Sequence, residues 1–285
     1  MTAVRPLLAE AAALLRKAGV ESPEQDARVL LAHVCGLELV RLPLVDQISD
    51  AQAKSFFRLI MERSDRVPLQ HLVGRAYFRF LEVEVGPGVF VPRPETEVMT
   101  GWAIDQLRPM IMNRRMPVVV ELCAGSGAIA RAIATELTGT VVHAVEISEE
   151  AAAYAARNLA DVPVWLHVED MADAVPELNG TVDLVIANPP YIPLEAYESV
   201  APEARDHDPV GALFSGPDGL DAIRVVTRVA ARLLRPTGLI CVEHADVQGE
   251  SAPAVVAAHG AFTGVRDHHD LTGRPRFVTA VRRGR

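Results

Sequence analysis

The residues most suited to chemistry are Asn188-Pro189-Pro190-Tyr191. They follow the run Val182–Ala187, which is short, aliphatic and β-branched enough to be a buried strand. Neither proline has an N–H, so the strand cannot continue its ladder past them. The first proline also keeps Asn188 out of helical geometry. The expected product is a stiff turn that holds one carboxamide and two proline carbonyls at a strand end, beside an aromatic ring. Rigid acceptors in that place suit a planar NH₂ group. A Pro-Pro pair alone would serve equally well to end a strand, so the meaning of the turn depends on its neighbours.

Three other predicted strand ends carry groups of the matching kind. After Val118–Leu122 comes Cys123-Ala124-Gly125-Ser126-Gly127, a glycine-containing loop that lets a ligand approach the backbone at a helix N-terminus. The third glycine of a dinucleotide fingerprint is missing, because Ala130 stands there. Glu146 ends the second strand, where a carboxylate accepts from ribose hydroxyls. Glu169-Asp170 ends the third strand, with Asp170 placed for an adenine amino group and Met171 as an apolar lid for the ring. Each feature alone is weak, since G-x-G is common and acidic strand ends are often merely solvated. Their order at successive strand ends is far more specific. Glu121, just before the loop, can receive an ammonium or support the loop, and it would repel a pyrophosphate. That charge argument favours S-adenosylmethionine over NAD or ATP, and its sulfonium needs no metal.

The elements that must position these groups alternate β-α-β-α from residue 117 onward. Helices are expected over 128–137, 149–159, 220–234 and 251–259, and further strands at 141–145, Val164–Val168, 239–242, around 265 and over 277–281. Such alternation implies a mostly parallel, doubly wound sheet, which binds ligands beyond the carboxyl ends of its strands at the topological switch point. Residues 1–66 read as helical throughout. Leu7, Leu8, Ala11, Leu14, Leu15 and Ala18 keep helical spacing up to Gly19. Ser22-Pro23-Glu24-Gln25 and Ser49-Asp50 are helix starts. Residues 67–100 form a linker with one or two strands at 77–85, a Gly86-Pro87-Gly88 turn, and a proline-stiffened segment before a helix at 98–107. The expected organisation is therefore a helical docking domain (1–66), a linker and β-hairpin (67–100), and a catalytic domain (101–285). A structural cap is the competing reading of the first part.

Composition narrows the class. The chain has 285 residues, 49% hydrophobic and 23% charged, an ordinary globular balance. Its formal net charge of -9 argues against a broad electrostatic grip on nucleic acid. Cys35, Cys123 and Cys241 lie far apart without zinc or C-x-x-C spacing, as for reduced thiols in a cytoplasmic protein. No uncharged apolar stretch approaches the ~20 residues of a membrane span, so no membrane association is expected. A monomer is expected.

Taken together, E-L-C-A-G-S-G, Glu146, the acidic end of strand three and N-P-P-Y resemble a class I S-adenosylmethionine-dependent methyltransferase (Rossmann-like, with a mostly parallel seven-stranded sheet) that acts on a planar amino group. P-L-Q-H-L-V-G-R-A-Y-F (68–78), F-V-P-R-P-E-T-E (90–97) and A-R-D-H-D-P-V-G-A-L-F-S-G-P-D-G-L-D (204–221) narrow this. They resemble the HemK/PrmC family of peptide-chain-release-factor glutamine N5-methyltransferases. This sequence has Cys123-Ala124 where that family usually shows Gly-Thr, glutamates at 121 and 146 where Asp is common, and Met171 where an aromatic is frequent. The resemblance implies a methyl donor, S-adenosyl-L-methionine (leaving S-adenosyl-L-homocysteine), bound by Glu121, Cys123, Ala124, Gly125, Ser126, Gly127, Glu146, Asp170, Met171 and Asn188. It implies as recipient the glutamine of a Gly-Gly-Gln motif in class-one release factors, with no stable nucleic-acid partner. Asn188, Pro189, Pro190 and Tyr191 would be catalytic and would bind that substrate, and Phe90, Pro92 and Arg93 would line its entrance. Three alternatives stay open: a ribosomal-protein glutamine, an adenine N6 of nucleic acid, and a non-catalytic cofactor-binding scaffold.

A glutamine amide nitrogen is a poor nucleophile that no ordinary base deprotonates at neutral pH. Positioning is what helps, together with acceptors that bind the amide hydrogens more strongly as charge grows on nitrogen. Asn188 Oδ1 and the Pro189 carbonyl are the expected acceptors, and Tyr191 packs against the amide or simply against the core. Arg93 has a purely structural alternative, pairing with Glu95 or Glu97. Arg205, Asp208 and Pro209 follow the turn, where a lid would lie. His268-His269 reads as a solvated or hydrogen-bonded pair. Arg274, Arg276, Arg282, Arg283 and Arg285 make a basic tail, either solvated or touching RNA.

Overall fold

A computed structural model of the chain describes residues 1–113 and 115–284, apart from the side chain of Ser199. Arg285 of the basic tail lies outside the described residues. The chain divides into two units, Met1–Arg75 with Val200–His207, and Ala76–Ser199 with Asp208–Arg285.

The first unit is built on α1 (Val4–Lys17), α2 (Pro23–Cys35), α3 (Asp50–Ser64) and α4 (Leu69–Val73). Leu7, Ala11, Leu15, Leu30, Leu31, Phe56 and Ile60 form its core. It is not helical throughout. Thr2–Ala3 (β1) pairs antiparallel with Gln47–Ile48 (β2), and Leu39–Leu44 is a 3₁₀ turn. Pro43 inside that turn has no N–H to carry an α-helical ladder onward. Both serine starts are observed, with different chemistry. Ser49 forms a reciprocal capping box with Gln52, whereas Ser22 makes no side-chain cap, and Pro23 at the first helical position starts α2.

In the second unit, β3 (Arg75–Phe78) and β4 (Leu81–Glu84) pair as a two-stranded sheet. The main sheet comprises β5 (Val118–Leu122), β6 (Val141–Glu146), β7 (Val164–Val168), β8 (Val182–Ala187), β9 (Leu234–Glu243), β10 (Phe262–His269) and β11 (Pro275–Arg282). Their order is β10-β11-β9-β8-β5-β6-β7, with β5 to β9 parallel and β11 antiparallel to both neighbours. One face packs on α5 (Pro94–Met112), α6 (Ala128–Glu136) and α7 (Glu149–Asn158) through Met99, Leu107, Ile133 and Ala155. After α8 (Pro202–His207) and α9 (Val210–Leu213), α10 (Asp221–Leu233) and α11 (Ser251–Ala258) cover the other face through Ile223, Val226, Leu233 and Val256. This is the doubly wound, seven-stranded class I methyltransferase architecture expected above.

Two elements are longer than their sequence pattern. α5 begins at Pro94 because a first-position proline followed by Glu95 and Glu97 makes a favourable first turn. β9 begins at Leu234, and its register against β8 jumps from Val182↔Leu234 to Leu184↔Leu239. Pro236 and Gly238 interrupt the alternation there, which hides the strand's first half from a periodicity argument.

The segment carrying Arg205 is helical and belongs to the first unit. Glu203 on α8 accepts from Arg63 at 3.0 Å and from Arg66 at 2.8 and 2.6 Å. Arg63 also donates to Asp26 at 2.8 Å, and with only 6% of its surface exposed it is a buried cation held by two carboxylates.

Asp183 joins the two central strands near their amino ends. It is 2% exposed and accepts from the Val118 amide at 2.9 Å, from Arg115 at 2.8 Å and from Arg235. Replacement by alanine leaves the half-buried Val118 amide without this acceptor and removes the counter-charge of two arginines. Asp183→Ala is expected to cost about 3 kcal/mol, read as a lower urea midpoint at unchanged slope.

Candidate active site

The parallel registers bring the four chemical strand ends to one edge. Leu122 pairs with Ala187 and with Val145, and Glu146 pairs with Val168. Cys123, Asn188, Ile147 and Glu169 therefore leave the sheet side by side. β5 and β8 flank the point at which the chain changes its direction of winding, where open α/β sheets form their ligand crevice.

On one side of that crevice lies the glycine loop. The Ala124 amide donates to Val145 O at 3.0 Å, and the Gly127 amide turns back to Ala124 O at 2.8 Å. Gly125 has φ 56°, and a side chain added there would meet nothing within 4 Å, so the loop presents open backbone to the crevice. Cys123 takes φ 59°, a left-handed conformation that costs a side-chain-bearing residue about 1–2 kcal/mol. Glycine fits that geometry better, which makes the Cys123 departure a strained one. Burial raises the Cys123 thiol, and the charges of Glu146, Glu121 and Asp170 raise it further, so it stays protonated and is no nucleophile.

The acidic groups divide their work. Glu121 is 1% exposed and accepts from the Ala130 amide, in the first turn of α6, at 2.8 Å. Of the two uses expected for it, the structure shows the supporting one. Burial lifts its pKa well above the usual carboxylate range, the Ala130 bond opposes this, and Glu146 adds to it. Glu146 braces the loop as well as ending its strand, accepting from Gly125 N at 2.7 Å and Ser148 N at 2.8 Å. Asp170 is exposed and accepts from Ala172 N at 2.8 Å, and Met171 lies with its sulfur 3.6 Å from Cys123 Sγ. Glu146 and Asp170 thus place carboxylates near Cys123 and make this end of the crevice suited to a cation. S-adenosylmethionine, cationic at sulfur and at its amino group, fits the donor set.

On the other side, Asn188 donates from Nδ2 to Thr96 Oγ1 at 3.1 Å, and Oδ1 takes no hydrogen bond among the described residues. The Tyr191 carbonyl accepts from Gln248 at 2.9 Å, and its hydroxyl meets Glu243 Oε1 at 3.3 Å. Tyr191 packs against the core beneath β8 and β9, which is the packing alternative of its two readings. Burial and the Glu243 charge raise the phenol, which remains a neutral donor. Pro189 is buried and Pro190 partly so. Arg93 pairs with Asp208 at 2.9 Å rather than with Glu95 or Glu97, and its guanidinium lies 4.9 Å from the centre of the Phe90 ring. Phe90, Arg93 and Asp208 thus form one cluster leading into α5.

Residues 6–74 match the family described as PrmC N-terminal domain, and residues 119–207 match a methyltransferase domain. A Streptomyces coelicolor protein named release factor glutamine methyltransferase is 51% identical over 273 residues, 96% of each chain. This chain belongs to the release factor glutamine methyltransferase family. A Streptomyces pristinaespiralis relative, named 4-amino-L-phenylalanine/4-methylamino-L-phenylalanine methyltransferase, is 40% identical over 270 residues, 92% of this chain and 91% of that one. Among solved structures, a T. thermophilus 16S rRNA N2 G1207 methyltransferase in complex with AdoMet and guanosine superposes with a TM-score of 0.51 at 19% identity. The match covers 73% of this chain and 50% of that one and shows the shared fold.

For a member of this family, the sequence reading missed three residues beside the crevice. Ile147 is 67% exposed directly after Glu146, an apolar side chain where Met171 had been the only one expected. Thr96 and Glu243 are 3% and 1% exposed, Thr96 against the Asn188 carboxamide and Glu243 against the Tyr191 hydroxyl. An acidic residue at the carboxyl end of a strand, the rule that singled out Glu146, applies equally to Glu243. Burial pushes the Glu243 carboxyl up to about 7, against the opposing effects of Thr96, Arg276 and Tyr191. This raised value lowers folded stability as pH rises. Below the unfolded value both states are protonated and nothing is lost, and the penalty then grows until pH passes about 7. Glu243→Gln is expected to be more stable than wild type at pH 8 than at pH 4 by about 3 kcal/mol of relative change, measured by urea unfolding across that range.

Proposed function

We propose that this chain transfers a methyl group from S-adenosylmethionine to the side-chain amide nitrogen of the glutamine in the Gly-Gly-Gln motif of class-one peptide release factors. The observation that carries the site assignment is the Asn188 carboxamide, whose nitrogen is engaged by Thr96 and whose oxygen is left as an acceptor at the switch point. The cofactor supplies the electrophilic methyl carbon, so no metal is needed. Cys123 to Gly127 present loop backbone to it, Glu146 receives its ribose, Asp170 its adenine amino group, and Ile147 and Met171 wall its ring. Glu121 holds the loop to the start of α6.

Asn188 Oδ1 and the Pro189 carbonyl hold the amide hydrogens of the incoming glutamine, aiming the nitrogen lone pair at the methyl carbon. Their hold tightens as positive charge develops, and the two prolines make that geometry rigid before substrate arrives. Tyr191 closes one wall through its core packing, and Phe90 with Arg93 lines the entrance. The amide proton leaves to solvent after transfer, when the nitrogen is acidic.

The relative named for 4-amino-L-phenylalanine points to a second kind of planar NH₂ recipient. The protein glutamine is favoured because residues 6–74 match the PrmC N-terminal domain and the Streptomyces coelicolor relative is the more similar of the two. Recipient choice would rest with the first unit as a docking domain, and the acidic charge speaks against nucleic acid. Among the described residues no helix is long and apolar enough to cross a membrane.

Asn188→Ala is expected to lower kcat on a purified class-one release factor by about 10²–10³-fold, the effect of losing one preorganised polar partner, with cofactor affinity unchanged. Labelled S-adenosylmethionine and calorimetry read the two quantities. Wild-type turnover by this variant would remove Asn188 from the site.

A further inference from the structure

We propose that Gln248 is a positioning residue for methyl transfer, which acts through the Tyr191 carbonyl to hold the Asn188–Tyr191 turn in its working orientation. This rests on the reading of Asn188 Oδ1 and the Pro189 carbonyl as acceptors for the substrate amide. Gln248 lies in the 3₁₀ turn Asp246–Gln248 that follows β9, and only 4% of its surface is exposed. Its Nε2 donates to the Tyr191 carbonyl at 2.9 Å and to the Asp218 carbonyl at 3.3 Å. Its Oε1 accepts from the Ala245 amide at 2.9 Å.

Donor counting fixes which end of this carboxamide faces the turn. A backbone N–H only donates, so the atom that meets the Ala245 amide is the oxygen. The nitrogen then carries two hydrogens, and two carbonyls lie within their reach. A flipped amide would set its oxygen against both carbonyl oxygens and its NH₂ against an N–H. The seat of the side chain is rigid as well. The Gln248 amide closes on Ala245 O at 2.8 Å, and the His244 amide donates to Arg276 O on β11 at 2.9 Å. The His244 ring meets Asp267 on β10 at 2.8 Å.

The turn needs such a hold. Neither of its prolines has an N–H, and neither proline carbonyl takes a hydrogen bond among the described residues. The prolines stiffen the turn internally, but a stiff segment still swings as one body about its ends. Its entry is fixed by the pairing of Ala187 with Leu122 and Val242. Its exit is fixed by Gln248 at the Tyr191 carbonyl and by the Ile192 amide, which donates to Leu213 O at 2.9 Å. The Tyr191 hydroxyl, 3.3 Å from Glu243, sits at the end of a rotatable side chain and holds the backbone less directly. Against the same carbonyl lies Gly219, with φ 73°, where a β-carbon would overlap the Tyr191 oxygen and stand 2.8 Å from Gln248 Nε2. A residue without a side chain lets the loop before α10 close on the carbonyl that Gln248 holds.

Loss of the Nε2 hydrogens leaves the Tyr191 carbonyl without this donor and frees the exit of the turn. Asn188 Oδ1 and the Pro189 carbonyl then shift together relative to the cofactor loop. A misplacement on the order of 1 Å lowers a rate about 100-fold. What changes is the aim of the amide nitrogen, so the loss falls on kcat. Gln248 contacts neither the glycine loop nor the first unit among the described residues, so cofactor and release-factor binding are spared.

The test uses full-length protein, a purified class-one release factor and labelled S-adenosylmethionine, with kcat, KM and cofactor affinity measured on variants whose folding is checked by urea unfolding. Gln248→Met, of similar length and without donors, is expected to lower kcat about 10–100-fold with KM and cofactor affinity within about twofold. Gln248→Glu keeps an acceptor for the Ala245 amide but sets a carboxyl oxygen against two carbonyls, and it is expected to lose at least as much. In an Asn188→Ala background the Gln248→Met step is expected to cost no more than about threefold, because both changes remove the same aim. The proposal is overturned if Gln248→Met lowers the urea midpoint yet keeps the wild-type kcat, or if its loss multiplies in full with that of Asn188→Ala. An inactive Asn188→Ala beside a fully active Gln248→Met sinks this inference alone. A fully active Asn188→Ala sinks the amide-acceptor reading and this inference with it. Should Gln248→Met fail to fold, Gln248→Glu, of nearly equal size, decides by the same two outcomes.

Discussion

The parallel pairing of β5 with β8 is the interaction on which the site depends. Leu122 lies opposite Ala187, so the glycine loop and the Asn-Pro-Pro-Tyr turn leave the sheet at the same level, on either side of the switch point. Because strand side chains alternate with period two, a one-residue slip would turn each strand's residues to the opposite face and displace Asn188 relative to the loop. Val119, Val120, Leu184 and Val185 have no exposed surface, which fixes that register through burial on both faces. Asp183 then ties the two strands together at their other end.

Electrostatics divides the crevice between a cation and an amide. Glu146 and Asp170 act together at Cys123, while the opposite wall offers neutral acceptors on a proline-stiffened turn. Negative charge there favours a positively charged ligand, as the proposed methyl donor is. On the recipient side, a full negative charge in contact with the amide would have to be desolvated on each turnover. The structure instead keeps its carboxylate, Glu243, buried against the Tyr191 hydroxyl at 3.3 Å.

Much of this was legible in the sequence where a function is carried by neighbouring residues. Val182–Ala187 followed by two prolines announces both a buried strand and its abrupt end, and the glycine loop after Val118–Leu122 is equally local. The use of Glu121 was open between a ligand and a brace, because only the fold shows its carboxylate on the Ala130 amide. The partner of Arg93 was out of reach for the same reason, since Asp208 lies 115 residues away. Thr96 stood within a segment singled out for Phe90 and Arg93, and Glu243 just past a strand read as ending at 242. Nothing in either stretch says that the packing of α5 will set Thr96 against Asn188, or that the pairing of β9 with β8 will set Glu243 against Tyr191. That juxtaposition belongs to tertiary structure.

The central claim is that the crevice presents a glutamine amide nitrogen to a methyl donor. Tandem mass spectrometry of a class-one release factor, after incubation with this protein and S-adenosylmethionine, tests it most directly. The account predicts a single added methyl group on the side-chain nitrogen of the Gly-Gly-Gln glutamine. A methyl group on any other residue, or an unmodified release factor under conditions where the cofactor is bound, would contradict it.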